Sequence, residues 1–280
     1  EANMNARLTR VITAVFVAAV MAVGAPSPAQ ASGERALWVW DGPTEGVIEF
    51  ALANGFSDLY LHTPPGFSQD PEYLPFVNTA RSAGLQVLAM GGDPSWAWGR
   101  SGWGNWVDEI VTFGAFDGIV FDVEPHTLPD WNTKRRNRLI RSFLSALDDA
   151  STRAGSLPTF TTVPFWWDDP AFKTKKRLLI EHVLNRTDGI IIMAYRDHAL
   201  GVDGIIEHSA TEANMAAAAG KQYTVGVETG FVGIDKVSFA EEGRAAMEAE
   251  LSLVESTFAG TAGYRGIAIH HYGSYATMAP

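Results

Sequence analysis

The chain has 280 residues, of which 46% are hydrophobic and 19% charged, and its formal net charge is −11. That balance describes a globular protein with a sizeable core and excludes a disordered or low-complexity chain. The acidic excess argues against nucleic acid or an anionic membrane as partner, and the lack of cysteine removes disulfides, thiolate metal sites and cysteine nucleophiles.

The N-terminal segment reads as a targeting signal. Arg7 and Arg10 precede an apolar run from Val11 to Val23, Gly24 and two prolines break it, and Ala29-Gln30-Ala31 offers small residues for cleavage. The run is about 13 residues, short of the roughly 20 that span a bilayer. We therefore expect a secretory signal peptide over 1–31 and a secreted domain over 32–280, with no membrane attachment after cleavage.

Beyond it, short apolar runs alternate with amphipathic stretches. The strand-like runs are Ala36–Trp40, Asp58–His62, Gln86–Met90, Gly118–Val123, Thr159–Val163, Gly189–Ala194, Tyr223–Val227 and Gly266–His270. Most are continuously hydrophobic, as in parallel strands buried on both faces. Helical patterns include Pro43–Ala53 after a possible Asp41 cap, Pro129–Arg153, and Phe239–Phe258. Gly55, Gly84, Gly155 and Gly220 fall where left-handed helix caps belong. No G-x-G-x-x-G or P-loop pattern supports an open doubly wound sheet. The pattern predicts one α/β domain, a (β/α)8 TIM barrel whose last helix is reduced or absent.

In such a barrel, chemistry gathers at the C-terminal strand ends. The polar residues there are Trp40-Asp41, His62, Gly91-Gly92-Asp93, Asp122 to His126, Trp166 to Asp169, Tyr195-Arg196-Asp197, Glu228-Thr229 and His270-His271-Tyr272. Asp122 and Glu124 are two apart and share a side of an extended strand. Two close carboxyls cannot both ionise cheaply, so one becomes a protonated acid beside an anion. Glycosidic cleavage needs that pair.

The segment Asp117-Gly118-Ile119-Val120-Phe121-Asp122-Val123-Glu124 resembles the D-G-x-D-x-D-x-E strand of family 18 glycoside hydrolases, the chitinase and endo-N-acetylglucosaminidase type, with Val120 in place of one inner acid. Ala89-Met90-Gly91-Gly92 is similar to the family's S-x-G-G, with Ala89 replacing serine, and Met193-Ala194-Tyr195 to its M-x-Y. The resemblance implies Glu124 as general acid, Asp122 orienting a substrate acetamido group, Tyr195 bonding the resulting oxazoline, and no enzyme nucleophile. His270 stands where the family usually offers tryptophan.

Other readings stay open. Glu228 ends the seventh strand, so a retaining glycosidase with Glu124 as acid/base and Glu228 as nucleophile, roughly 5 Å apart, is a second possibility. Glu228 could equally pair with Arg196 or contact sugar at the rim. Tryptophans past the strand ends suit sugar stacking. The candidate substrate-binding residues are Trp40, His62, Asp93, Trp96, Trp166, Trp167, Arg196, Asp197, His270 and Tyr272. A metal-dependent hydrolase built on His62, His126, His270 and His271 lacks an H-x-H or H-E-x-x-H pattern, and we expect no metal or other cofactor. A catalytically silent sugar-binding barrel is the remaining alternative. The expected partner is a carbohydrate, and the sequence leaves the sugar, linkage and oligomeric state open.

Overall fold

A computed structural model describes residues 33–99 and 102–280; the expected signal segment lies outside them. Among the described residues, eight parallel strands pair in chain order and β1 pairs with β8, closing the barrel. They are β1 Glu34–Val39, β2 Asp58–His62, β3 Gln86–Gly91, β4 Gly118–Phe121, β5 Thr159–Pro164, β6 Gly189–Met193, β7 Gln222–Glu228 and β8 Tyr264–His270. Between them run α1 Val47–Ala53, α2 Tyr73–Ser82, α3 Trp103–Phe113, α4 Arg136–Ala154, α5 Leu179–Leu184, α6 Ile205–Ala218 and α7 Arg244–Phe258. The six-residue α8, Tyr272–Thr277, follows β8 as the reduced last helix.

Three expected helices start later than their patterns suggest. The first begins at Val47 with Gly46 as its N-cap, so Asp41 caps nothing. The stretch from Pro129 divides into a 3-10 turn over Pro129–Asn132 and α4, because Thr133 is extended between them. The stretch from Phe239 turns at Gly243, and α7 starts at Arg244. The four glycines past the helix ends take positive φ as expected, 72° at Gly55 and 65° at Gly220 among them.

Period-two alternation separates two cores. Trp38 lies beside Tyr60, Met90 beside Val120, and Val120 beside Phe160 in the strand registers. These residues pack with Ala36, Leu88, Ile191 and Ala268 inside the barrel. The odd-numbered neighbours Leu37, Leu59, Ala89, Ile119 and Phe121 join the helices in the larger outer core. Ala89, at the serine position of the resembled motif, therefore faces the helices. Val120, at the missing acid's position, is fully buried in the apolar interior layer.

The barrel's two ends differ in charge. At the N-terminal end, Arg265 pairs with Glu34 at 2.6 Å and Asp58 at 2.9 Å, so the acids there have a cation. At the C-terminal end, Asp122, Glu124 and Glu228 have no Arg or Lys within ion-pair distance among the described residues. Unneutralised buried acids are costly for folding, which makes that end the place to look for chemistry.

Candidate active site

The alternation that fills the barrel carries upward into a polar layer. Trp40, His62, Asp122, Tyr195, Glu228 and His270 continue the inward-facing series of their strands. β4 ends at Phe121, two residues short of the expected limit, so both acids stand just beyond it. Pro125 then opens a 3-10 turn over Pro125–Thr127, and the Thr127 N–H and hydroxyl both donate to the Glu124 carbonyl.

Asp122 is held from two sides. Its backbone N–H donates to the Gly91 carbonyl at 3.0 Å, and its Oδ1 accepts from the Thr162 hydroxyl at 2.6 Å. The Gly91-Gly92 pair has a packing reason. A Cβ on Gly92 would sit 1.9 Å from the Asp122 carbonyl oxygen, and one on Gly91 would strike the Trp106 ring at 2.7 Å. Only hydrogen side chains let β3 approach the acid-bearing turn this closely. Burial raises the Asp122 carboxyl, and the Thr162 hydroxyl opposes that by favouring its anion.

Glu124 is pushed up to about 7, first by burial and then by the charge of Asp122. At neutral pH a substantial share of it, about half, therefore carries the proton that an acid must supply. Tyr195 is pushed well above its ordinary value by burial and by Glu228, Asp122 and Glu124, and stays a neutral phenol able to donate. All three acids therefore lie near enough to the phenol for their charges to be felt there. His62 Nδ1 lies 3.0 Å from the Trp40 carbonyl oxygen, which can only accept, so Nδ1 carries the proton and donates it.

Glu228 is committed elsewhere. Its Oε1 accepts from the Thr229 and Gly230 N–H groups at 2.8 and 2.6 Å, and its Oε2 lies 2.7 Å from His270 Nδ1. Only 4% of the residue is exposed. Arg196 does not reach it; that guanidinium pairs with Asp203 at 2.8 Å and lies over Phe165. The structure brings Glu228 to the expected end of the barrel, but as an anchor for His270 with both oxygens occupied.

One expected substrate contact is corrected by burial. Trp167 is fully buried and has no face to offer a sugar. Trp96 is 8% exposed and stacks against Trp103 at 6.1 Å, walling a cleft of about 320 Å³ beside His62 and Gly92. Asp93 is exposed and caps the following 3-10 turn by accepting from the Ser95 N–H. Asp197 is bound to its neighbour His198, and Tyr272 packs its ring against Phe50 on α1. Asp93 lines the same cleft as Trp96 and His62. Trp40 and Trp166 stay half-buried, as a stacking surface requires.

Sequence reasoning placed His126 only in a metal site, whereas the structure packs it beside Glu124, with its Nε2 3.8 Å from Oε1. It also passed over Thr162, whose signal was a polar residue in the inward series of β5. Among the described residues, no group of three His, Asp or Glu side chains is arranged to hold a metal ion.

No protein-family model and no curated protein matches the sequence. Solved structures do match its fold. A chitinase from Rhizomucor miehei aligns with a TM-score of 0.54 at 16% identity, over 85% of this chain and 94% of that one. A family 18 chitinase from Pseudoalteromonas aurantia gives 0.55 at 10% identity, over 86% and 94%. The spore cortex-lytic enzyme SleL of Bacillus megaterium QM B1551 gives 0.54 at 13%, over 89% and 72%. The class that fold and comparison define is a (β/α)8 barrel shaped like these enzymes. At such identities the likeness speaks for the fold, and the chemistry rests on the site itself.

Proposed function

We propose that this chain is a secreted glycoside hydrolase in which Glu124 is the proton donor and Asp122 assists. The observation that carries this reading is the pairing of a raised, half-buried Glu124 with Asp122 at one strand end, near the Tyr195 phenol. The chitinases among the structural neighbours, one of them solved with (GlcNAc)3, favour a 2-acetamido sugar polymer as the substrate class. Export through residues 1–31 would place the enzyme where such polymers occur.

On this reading Glu124 gives its proton to the departing glycosidic oxygen. The acetamido carbonyl oxygen of the sugar attacks the anomeric carbon as that bond breaks, closing an oxazoline ring. Asp122, whose anion the Thr162 hydroxyl favours, accepts from the acetamido N–H, and the neutral Tyr195 hydroxyl donates to the acetamido oxygen. Water then opens the ring from the face the leaving group vacated. The Glu124 carboxylate takes that water's proton and returns to its starting state. Trp40 and Trp166 supply indole surface for the ring faces.

Glu228 as nucleophile is the weaker alternative, because attack would require it to leave two backbone donors and His270. The test is a screen of the protein against chitin oligosaccharides, peptidoglycan fragments and aryl N-acetylglucosaminides, with Glu124→Gln in parallel. Cleavage by the parent and not by the variant supports the proposal. No cleavage of any of them removes it.

A further inference from the structure

We propose that His126 is the positioning residue of the proton donor: an aromatic box aims its Nε2–H at Glu124, ready to receive the carboxylate that forms when the proton leaves. The inference rests on reading Glu124 as the acid. The Glu124-Pro125-His126 order is what makes it possible, since the 3-10 turn after Glu124 folds His126 back beside it. The ring is held edge-to-face by Trp166 at 5.2 Å and by Trp131 and Trp167, each at 6.2 Å.

The tautomer follows from burial. His126 Nδ1 is buried with no hydrogen-bond partner. Stranding an N–H there is worse than stranding a lone pair, because orphaned buried donors are the rarer and costlier defect. The proton therefore sits on Nε2, the nitrogen 3.8 Å from Glu124 Oε1. Burial also holds the imidazole down at about 4, so it stays neutral where Glu124 titrates and does not take the acid's proton.

At 3.8 Å the contact is too long for a hydrogen bond, which suits a protonated Glu124. Once the carboxyl becomes an anion, a shift of about 1 Å brings Oε1 onto the N–H. The same donor steadies the carboxylate while it waits to take a proton from water. The other groups facing Glu124 are Asp122 beside it, Tyr195 past β6 and His270 ending β8. None of them changes in the experiment below.

The test compares His126→Phe, His126→Gln and His126→Asn with the parent. Gln places an amide N–H near the position of Nε2, and Asn places one near Nδ1. Loss of the donor in His126→Phe should lower kcat about ten- to a hundredfold with KM unchanged. It should also move the alkaline limb of the kcat/KM profile up by about one pH unit, because the anion loses a stabilising partner. Gln should restore both values and Asn neither. A Phe variant with the parent's rate and profile, or rescue by Asn equal to rescue by Gln, overturns the proposal. Should Phe overfill the box, the two amide variants make the comparison alone, with thermal midpoints to show that they fold.

A 13C titration of the glutamate carboxyls, with Glu124 assigned through Glu124→Gln, needs no substrate. Failure of the parent to cleave any glycoside would sink the functional reading alone. A Glu124 midpoint that does not rise in His126→Phe would sink the role of His126 whatever the activity.

Discussion

The indole N–H of Trp40 donates to Nε2 of His270 at 2.9 Å. An indole nitrogen can only donate, so Nε2 must accept, and the His270 proton sits on Nδ1, where it donates to Glu228. A tryptophan just past β1 and a glutamate on β7 thus fix one histidine tautomer on β8, and the glutamate is used up in doing so. Glu228→Gly should be impaired and should not be rescued by azide, because the vacated space borders His270 and not a reacting carbon. Rescue measured with an activated aryl glycoside would instead establish Glu228 as a nucleophile.

The raised Glu124 carboxyl sets the pH dependence. The acid works only when protonated, so kcat/KM should fall as pH rises through about 7. Stability carries the same signature. A carboxyl whose folded value lies above its ordinary 4.5 stabilises the fold fully below 4.5, and that contribution is lost as pH rises through about 7. Denaturation midpoints of Glu124→Gln and the parent should therefore agree near pH 4 and diverge in favour of the variant by pH 8. Parallel curves across that range would show that Glu124 is not raised.

Thr162 governs the second acid. Thr162→Val keeps the shape of a fully buried side chain but removes the 2.6 Å donor to Asp122. The Asp122 anion then loses support and its carboxyl rises, so the acid limb of kcat/KM should move up by about one pH unit. Alkaline-side behaviour should change little. An unchanged acid limb would mean that Asp122 is not required as an anion.

Gly92→Ala tests the backbone approach behind the G-G pair. The added methyl meets the Asp122 carbonyl at 1.9 Å, and backbone on both sides leaves nowhere to yield. Activity should fall at least tenfold, whereas Gly55→Ala, with open space around it but a φ of 72°, should lose some thermal stability and leave activity unchanged. Equal activity in the two variants would contradict the packing argument.

The barrel was legible because parallel strands covered on both faces read as unbroken apolar runs, and glycines marked the helix ends. The acid pair was legible from its period-two spacing. What the sequence could not separate was a tryptophan that lines the mouth from one that packs beneath it. Trp166 and Trp167 are adjacent in the chain, yet the first is half-buried beside His126 and the second lies wholly in the outer core. Nor could spacing show that Glu228 spends its oxygens on Thr229, Gly230 and His270, since those bonds join β7 to its own loop and to β8. Helix starts slipped where a glycine, at 46 or 243, interrupts an otherwise helical pattern.

The most direct test of the central claim is the turnover of Glu124→Gln on a 2-acetamido oligosaccharide, measured beside its binding of the same sugar. The glutamine keeps the shape of the side chain and removes the transferable proton. The account predicts that kcat falls by a factor of roughly 10² to 10⁴ while the dissociation constant stays within a few-fold of the parent's. Turnover in the variant equal to that of the parent would contradict it.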